Sequence, residues 1–333
     1  SLFFSIAVTS AQSPFVTTWQ TDNDGTSCNS CITIPTHPQS TYNYEVDWDN
    51  DGVYDESGIT GSVTHDFGTP GTYTIAIRGD FPRIYFNFEG DKDKILRIDQ
   101  WGSIPWSSMN RAFAGCTHLN STAADVPALF NVTDVSEMFS GALNFNQDVS
   151  YWDMSNVINM SGMFFNAQRF DQTLGEWRMP NVVEMDSMLS NSGLSCRNYG
   201  ATLVNWSFNF LTPNNIRLGA EGLFYDESIA NDRETLLNKG WMITGDEERS
   251  CFTSNSSERR TSISLYPNPT RDIIRLNADQ PLSFRIFDGF GRVVKEGKSQ
   301  AVIRVNELPP AMYYLHILDE DGQIQEVKKI VKN

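Results

Sequence analysis

Apolar residues recur through the middle of the chain with a spacing that matches neither the 3.6-residue period of a helix nor the two-residue period of a strand. The segment EMFSGALNFNQDVSYWDMSNVINM is followed 25 residues on by GMFFNAQRFDQTLGEWRMPNVVEM. The copies agree column by column: Phe139 with Phe164, Ala142 with Ala167, Phe145 with Phe170, Gln147 with Gln172, Trp152 with Trp177 and Met154 with Met179. A fixed period of this size marks a small unit stacked on copies of itself, because each copy has too few apolar residues to bury a core alone.

The register extends towards the N-terminus. Trp101, Pro127, Trp152 and Trp177 form one column, and Met109, Val135, Met160 and Met185 a second. Phe113, Phe139, Phe164 and Leu189 form a third, and Leu119, Phe145 and Phe170 a fourth. One extra residue in the first unit falls in NSTAADV, between Leu119 and Pro127, where a loop absorbs it. The recurring Asn-Val pairs (131–132, 156–157 and 181–182) are expected to bond the exposed backbone of their own and the next turn. FSGA and FFNA suggest one short helical turn per unit. About four units are expected, closed by an atypical cap with one helix from about Ser228 to Asn238. Ala230, Leu236 and Leu237 would lie on its inner face.

The flanks are written with period two. Tyr42, Tyr44, Val46 and Trp48 alternate, as do Tyr73, Ile75 and Ile77 after a turn at Gly68, Pro70 and Gly71. Residues 12–88 therefore read as antiparallel β. Residues 249–262 have a Ser/Asn-rich linker composition. Residues 263–333 alternate through Ile286, Val293, Ile303, Tyr313, Leu315 and Ile317, with turns at Gly289, Gly291 and Gly322, as a compact β-sandwich would. The fold expected is multidomain and β-rich.

Charge changes the picture of partners. Residues 258–333 hold 12 basic and 10 acidic residues, which leaves 13 against 31 in the rest of the chain. Such a surface repels nucleic acid and anionic membranes. Solubility, calcium binding or a cationic partner each account for it. No apolar run approaches the roughly 20 residues of a bilayer span. Leu2 to Val8, with small Thr9 and Ala11, reads as the end of a signal peptide (residues 1–11), the alternative being a buried strand. The mature chain would begin near Gln12 and work outside the cytoplasm. Cys28 and Cys31 are expected to form a local disulfide, and Cys196 and Cys251, flanking the end of the array, to clamp it; Cys116 is left over as a small buried residue. Connectivity does not follow from sequence.

Candidate chemistry is sparse. In DWDNDGVYDE, Asp47, Asp49 and Asp51 alternate before Gly52, the opening of an EF-hand-type calcium loop. Gly58 stands where the bidentate Glu belongs, so a shortened loop would be closed by Asp55. On a strand the same alternation gives one solvated face. His37, His65, His118 and His316 are scattered, and no nucleophile elbow, zincin or phosphate-loop motif is present. Asp148 and Asp153 suggest a carboxylate pair for glycan hydrolysis. Repetition opposes it, since they become Thr173 and Arg178 while the apolar columns persist. No cofactor other than calcium is suggested.

Three resemblances follow. Trp48–Gly52 with His65, Phe67, Pro70, Gly71 and Tyr73 resembles about half of an immunoglobulin-like PKD module. Met138, Phe139, Phe145, Asn146, Gln147, Asp148, Trp152, Asp153, Ser155, Asn156 and Val157 resemble the repeat of BspA-like leucine-rich-repeat surface proteins. The next copy departs at Asp171, Thr173, Arg178 and Pro180. That resemblance implies an LRR-like α/β solenoid with a helical cap over residues 89–248, in a family associated with adhesion.

The third resemblance lies in the tail. Leu265–Pro269, the turn from Phe287–Asp288 to Gly291, Leu308 to Tyr313, and Lys328, Lys329, Ile330 and Lys332 resemble the C-terminal sorting domain of the type IX (Por) secretion system. Ala311 stands where that family usually has Gly. It implies a bacterial protein, secreted or held at the outer surface, with the secretion machinery as a partner. The function expected is non-catalytic binding of an extracellular protein or glycan; a secreted glycan hydrolase or carbohydrate-binding accessory protein is the alternative. Exposed Tyr151, Arg169, Arg178 and Asn181 are the expected contact positions.

Overall fold

The period-two segments at the N-terminus form strands β1 (Phe15–Gln20), β2 (Cys31–Ile34), β3 (Asn43–Asp47), β4 (Glu56–Ile59), β5 (Val63–Asp66), β6 (Thr72–Asp80) and β7 (Ile95–Gln100). The computed structural model describes residues 12–251, 265–276, 281–288, 292–299, 302–318 and 324–333. The expected leader at 1–11, residues 252–262 of the expected linker and the turn glycines Gly289, Gly291 and Gly322 lie outside these.

One six-stranded sheet runs in the order β4-β3-β6-β1-β7-β8, where β8 is Asn120–Ser121, and β2 pairs separately with β5. Phe15, Trp19, Tyr44, Val46, Ile75 and Ile77 are buried beneath it, as alternation requires. The join to the repeats is continuous. Strand β7 pairs with β1, and its parallel neighbour β8 comes from the first repeat's extra residues. One buried cluster extends from Phe15 to Ile243, so the division expected at 88/89 runs through a shared core.

The repeats form stacked coils. The N–H groups of Met109, Arg111, Phe113 and Gly115 donate to the carbonyls of Asp134, Ser136, Met138 and Ser140 at 2.7–2.9 Å. Val135, Glu137, Phe139 and Gly141 do the same to Asn159, Ser161, Met163 and Phe165, and the next coil repeats the pattern. The short helical turn expected at FSGA and FFNA is absent. Instead φ is positive at Arg111, Glu137, Gly162 and Ser187, and again at Gly115, Gly141, Asn166 and Asn191. A left-handed residue every fourth position breaks a helix, and the N–H groups a helix would use internally go to the neighbouring coil.

Between the ladders lie the aromatic columns. Phe139 stacks on Phe145 of its own coil at 3.8 Å, and on Phe113 and Phe164 at 5.7 and 5.9 Å. Phe164 repeats this with Phe170 at 3.8 Å. Asn156 and Asn181 donate to the carbonyls of Phe130 and Ser155 at 2.8 and 2.7 Å, in the preceding coil rather than their own or the next.

Helix α1 (Cys196–Phe208) gave no sequence signal, because it is buried round much of its surface and carries Asn and Gly. Thr202 accepts from Leu174 N at 3.0 Å, which seats the helix on the third coil. Stacking then continues where only a cap was expected. Met185 bridges to Leu218, and β9 (Arg217–Gly219) pairs in parallel with β11 (Met242–Thr244). Strand β10 (Phe224–Tyr225) pairs likewise with β12 (Glu247–Glu248). Helix α2 (Ala230–Asn238) buries Leu236, with Ala230 and Leu237 only half-buried.

The C-terminal segment has its own core, which includes Ile274, Phe284, Ile286, Ile303, Tyr313, Leu315 and Ile317. Strands β13 (Leu265–Tyr266), β14 (Ile273–Leu276) and β17 (Val302–Arg304) form one sheet. Strands β15 (Leu282–Phe287), β16 (Val293–Ser299), β18 (Ala311–Leu318) and β19 (Ile324–Lys332) form another, ordered β16-β15-β18-β19. The chain is β-rich. Among the described residues no sheet closes into a barrel, and no helix is long and apolar enough to cross a membrane.

Candidate functional site

Each coil turns through Asp-Val-Ser-type corners that present side chains outward. Asp148 and Asp153 accept from Ser150 N and Ser155 N at 2.9 and 3.0 Å, so both carboxylates hold turns. Tyr151, on the first of these turns, is 72% exposed. Tyr151 and Arg178 line one concavity with Asp148, Asp153 and Gln172, and its other wall is the C-terminal unit, through Arg285, Lys295 and Glu296. The other two expected contact positions do not join them. Arg169 is exposed but does not line this concavity, and Asn181 spends its amide on the Ser155 carbonyl, so its role is in the ladder.

Sequence reasoning missed Glu176, which lies in the same concavity. Burial pushes its carboxyl up to about 7, opposed by Arg285 and reinforced by Asp148. Phe287 and His316 of the C-terminal unit line the recess beside it.

The acidic loop is ordered by its own backbone. Asp47, almost fully buried, accepts from Asp51 N at 3.2 Å and Gly52 N at 2.8 Å, and Asp55 accepts from Trp48 N at 2.8 Å. Asn50 and Gly52 take positive φ to make the bend. Carboxylate oxygens of Asp47, Asp49 and Asp55 lie within 4.8 Å of one another. Asp51, the fourth expected ligand, falls outside this group and accepts from Val53 N at 2.8 Å. Burial, then the neighbouring Asp51 charge, raises the Asp49 carboxyl above its ordinary value. The donor set is all-oxygen and anionic, which fits a hard cation such as calcium, but it is short of the six to eight oxygens calcium takes unless water completes it.

Disulfides join Cys28 to Cys31 and Cys196 to Cys251, while Cys116 is buried and free. The first closes a loop wrapped around a buried cation that sequence reasoning also missed. Lys94 donates to the carbonyls of Cys28 and Cys31 at 2.8 and 3.0 Å and to the Ser27 hydroxyl at 2.8 Å. Asp91 accepts from the N–H groups of Thr26, Ser27 and Thr33 at 2.8, 3.0 and 2.7 Å. Burial alone raises the Asp91 carboxyl; the Ser27 and Thr33 hydrogen bonds and the Lys94 charge outweigh it and hold the pKa below its ordinary value.

No curated protein and no solved structure matches the chain. Residues 84–212, covering the stacked coils and α1, match the family described as Mycoplasma protein of unknown function, DUF285. Residues 264–333 match the secretion system C-terminal sorting domain, which indicates a bacterial protein exported by type IX secretion to the outside or the outer surface, with the secretion machinery as a partner.

Proposed function

We propose that the protein is a non-catalytic binding protein of the cell exterior. In this reading an LRR-like, BspA-like solenoid stands behind a PKD-like β region and binds an extracellular protein or glycan. One observation carries it: the coils share a backbone and an interior, yet differ where they meet solvent. The columns read Val126 and Tyr151; Ala128, Asp153 and Arg178; Thr133, Ile158 and Val183. Packing demands the first kind of repetition, and nothing in packing demands the second kind of variation. A calcium ion held by Asp47, Asp49 and Asp55 would neutralise the acidic loop that carries them. The test is binding of the full chain to a panel of matrix proteins and glycans. Retention of one component, weakened at least tenfold by Tyr151→Ala with Arg178→Ala, supports the reading; binding to none overturns it.

The second reading, a glycan hydrolase or carbohydrate-binding accessory protein, is favoured by Glu176 and Asp148 sharing a concavity with divergent environments. It predicts polysaccharide cleavage that Glu176→Gln abolishes. The recess that Glu176 shares with Phe287 and His316 of the C-terminal unit leaves little room for a polysaccharide, which weighs against it.

A further inference from the structure

We infer that the exposed ribbon carrying Phe130, Ile158 and Val183 is the docking surface of the array, and that its partner is a cationic polypeptide segment with aliphatic side chains. This rests on the reading of the array as a binding frame and names its face and its partner's chemistry. Ile158 N donates to Thr133 O at 2.8 Å and Val183 N to Ile158 O at 2.9 Å, so these residues occupy one column on adjacent coils. Asn156, two residues before Ile158, bonds the Phe130 carbonyl at 2.8 Å, which brings the Phe130 backbone to the neighbouring column. The three side chains are 57%, 42% and 59% exposed, in chain order. Stacking does not require them to be apolar, because Thr133 fills the same column one coil earlier. A contiguous apolar stripe left in water marks a surface meant to be covered.

Charge selects the occupant. Asp134 and Glu184 flank the stripe as its net negative charge, whereas Asp186 is paired with Arg217 at 3.4 Å and Glu137 with Arg111 at 2.9 Å. A second copy of this chain would set carboxylates against carboxylates, whereas a Lys- or Arg-bearing segment meets them with opposite charge. Two of the three apolar groups are branched aliphatics, which suit aliphatic side chains better than the faces of sugar rings.

The test immobilises the full chain through its N-terminus and measures binding of three synthetic 12-residue peptides, alternating Lys-Val, Lys-Ser and Glu-Val. The Lys-Val peptide is expected to bind at least tenfold more tightly than the others, and more weakly as salt rises. The Ile158→Asp, Val183→Asp double variant is expected to lose at least tenfold. The Ile158→Thr, Val183→Thr variant, which places in these coils the residue Thr133 already supplies, guards against misfolding and is expected to lose at least fivefold. Equal binding by wild type and the threonine variant, or equal binding of Glu-Val and Lys-Val, overturns the inference. If the threonine variant still retains a matrix protein or glycan that Tyr151→Ala releases, the array binds ligands elsewhere and only this surface is wrong. If the wild type retains nothing from peptides or panel, both readings fall.

Discussion

The indole N–H of Trp177 donates to the carbonyl of Val149, 2.8 Å away in the preceding coil. Trp206 does the same to Leu174 at 3.1 Å and Trp241 to Pro213 at 2.7 Å. The tryptophan column is therefore a set of buried hydrogen-bonded staples as well as an apolar stack. Trp101 and Trp152, the first two tryptophans of the column, are exceptions with N–H groups buried without a partner, and the coil before Trp152 is the one with the extra residue and Pro127. Trp177→Phe leaves the Val149 carbonyl with only its bond from Trp152 N at 3.1 Å, a net loss of about 0.5–1.5 kcal/mol beyond the lost ring volume. Trp152→Phe loses volume only and removes an orphan donor. Denaturant unfolding followed by circular dichroism should rank Trp177→Phe clearly below Trp152→Phe; equal losses would refute the staple role.

The columns were legible in the sequence because stacking forces like residues onto like: Met109, Met160 and Met185, and Phe113, Phe139 and Phe164, are all fully buried. The turn chemistry was not legible. Positive φ at Arg111, Glu137 and Ser187 is imposed by hydrogen bonds to the next coil against local preference, and no Gly marks those three positions. Helix α1 and the two later rungs at β9 and β11 were hidden for a similar reason. Their partners lie some 25–33 residues away, and the period breaks there. In the candidate site the acidic loop was visible as a pattern, whereas Lys94 and Asp91 gain their roles only when residues 26–33 fold onto them.

Lys94 is nearly fully buried, and its ammonium is the donor around which the Cys28–Cys31 loop is organised. Lys94→Met keeps much of the volume but removes the donor from four carbonyl or hydroxyl partners and the positive charge beside Asp91, a loss of about 3–5 kcal/mol by analogy with broken buried pairs. Thermal melting should show it even with the disulfide intact; an unchanged midpoint would show that the disulfide alone orders the loop.

Asp91 adds a pH signature. Its folded pKa lies below the ordinary 3.8, so its contribution to stability is complete above that value and is lost as pH falls through the lower folded pKa. Acid titration of stability should therefore be flatter below pH 3.8 in Asp91→Asn than in the wild type. Parallel curves would mean that other carboxylates set the acid limb.

Calcium is tested by linkage. A ligand that binds only the folded state at a hundredfold excess over its Kd stabilises by about 2.7 kcal/mol. Calcium is expected to raise the melting midpoint, chelator to reverse the rise, and Asp47→Asn with Asp55→Asn to abolish it. Identical midpoints with calcium and with chelator would dispose of the site and leave these carboxylates as turn-forming groups.

Two glycines separate backbone conformation from close approach. Gly141 has a φ of 70°, and an added Cβ would meet nothing nearer than the Gly115 Cα, at 3.6 Å. Gly141→Ala should cost about 1–2 kcal/mol, the penalty of the left-handed region. Gly141→Asn should cost less, because Asn166 and Asn191 already hold that position in later coils. Gly219 is a different case: its Cβ would fall 2.3 Å from the Ser187 nitrogen, where the ladder passes from the fourth coil to β9. Backbone cannot move aside there without breaking the Leu189 N to Gly219 O bond of 3.0 Å. Gly219→Ala should therefore cost about 3 kcal/mol or more, at or above the top of the usual overpacking range. The order Gly219→Ala, Gly141→Ala, Gly141→Asn in unfolding midpoints checks the coil geometry directly, and a reversal of the first two would mean that the stacking does not continue past the fourth coil.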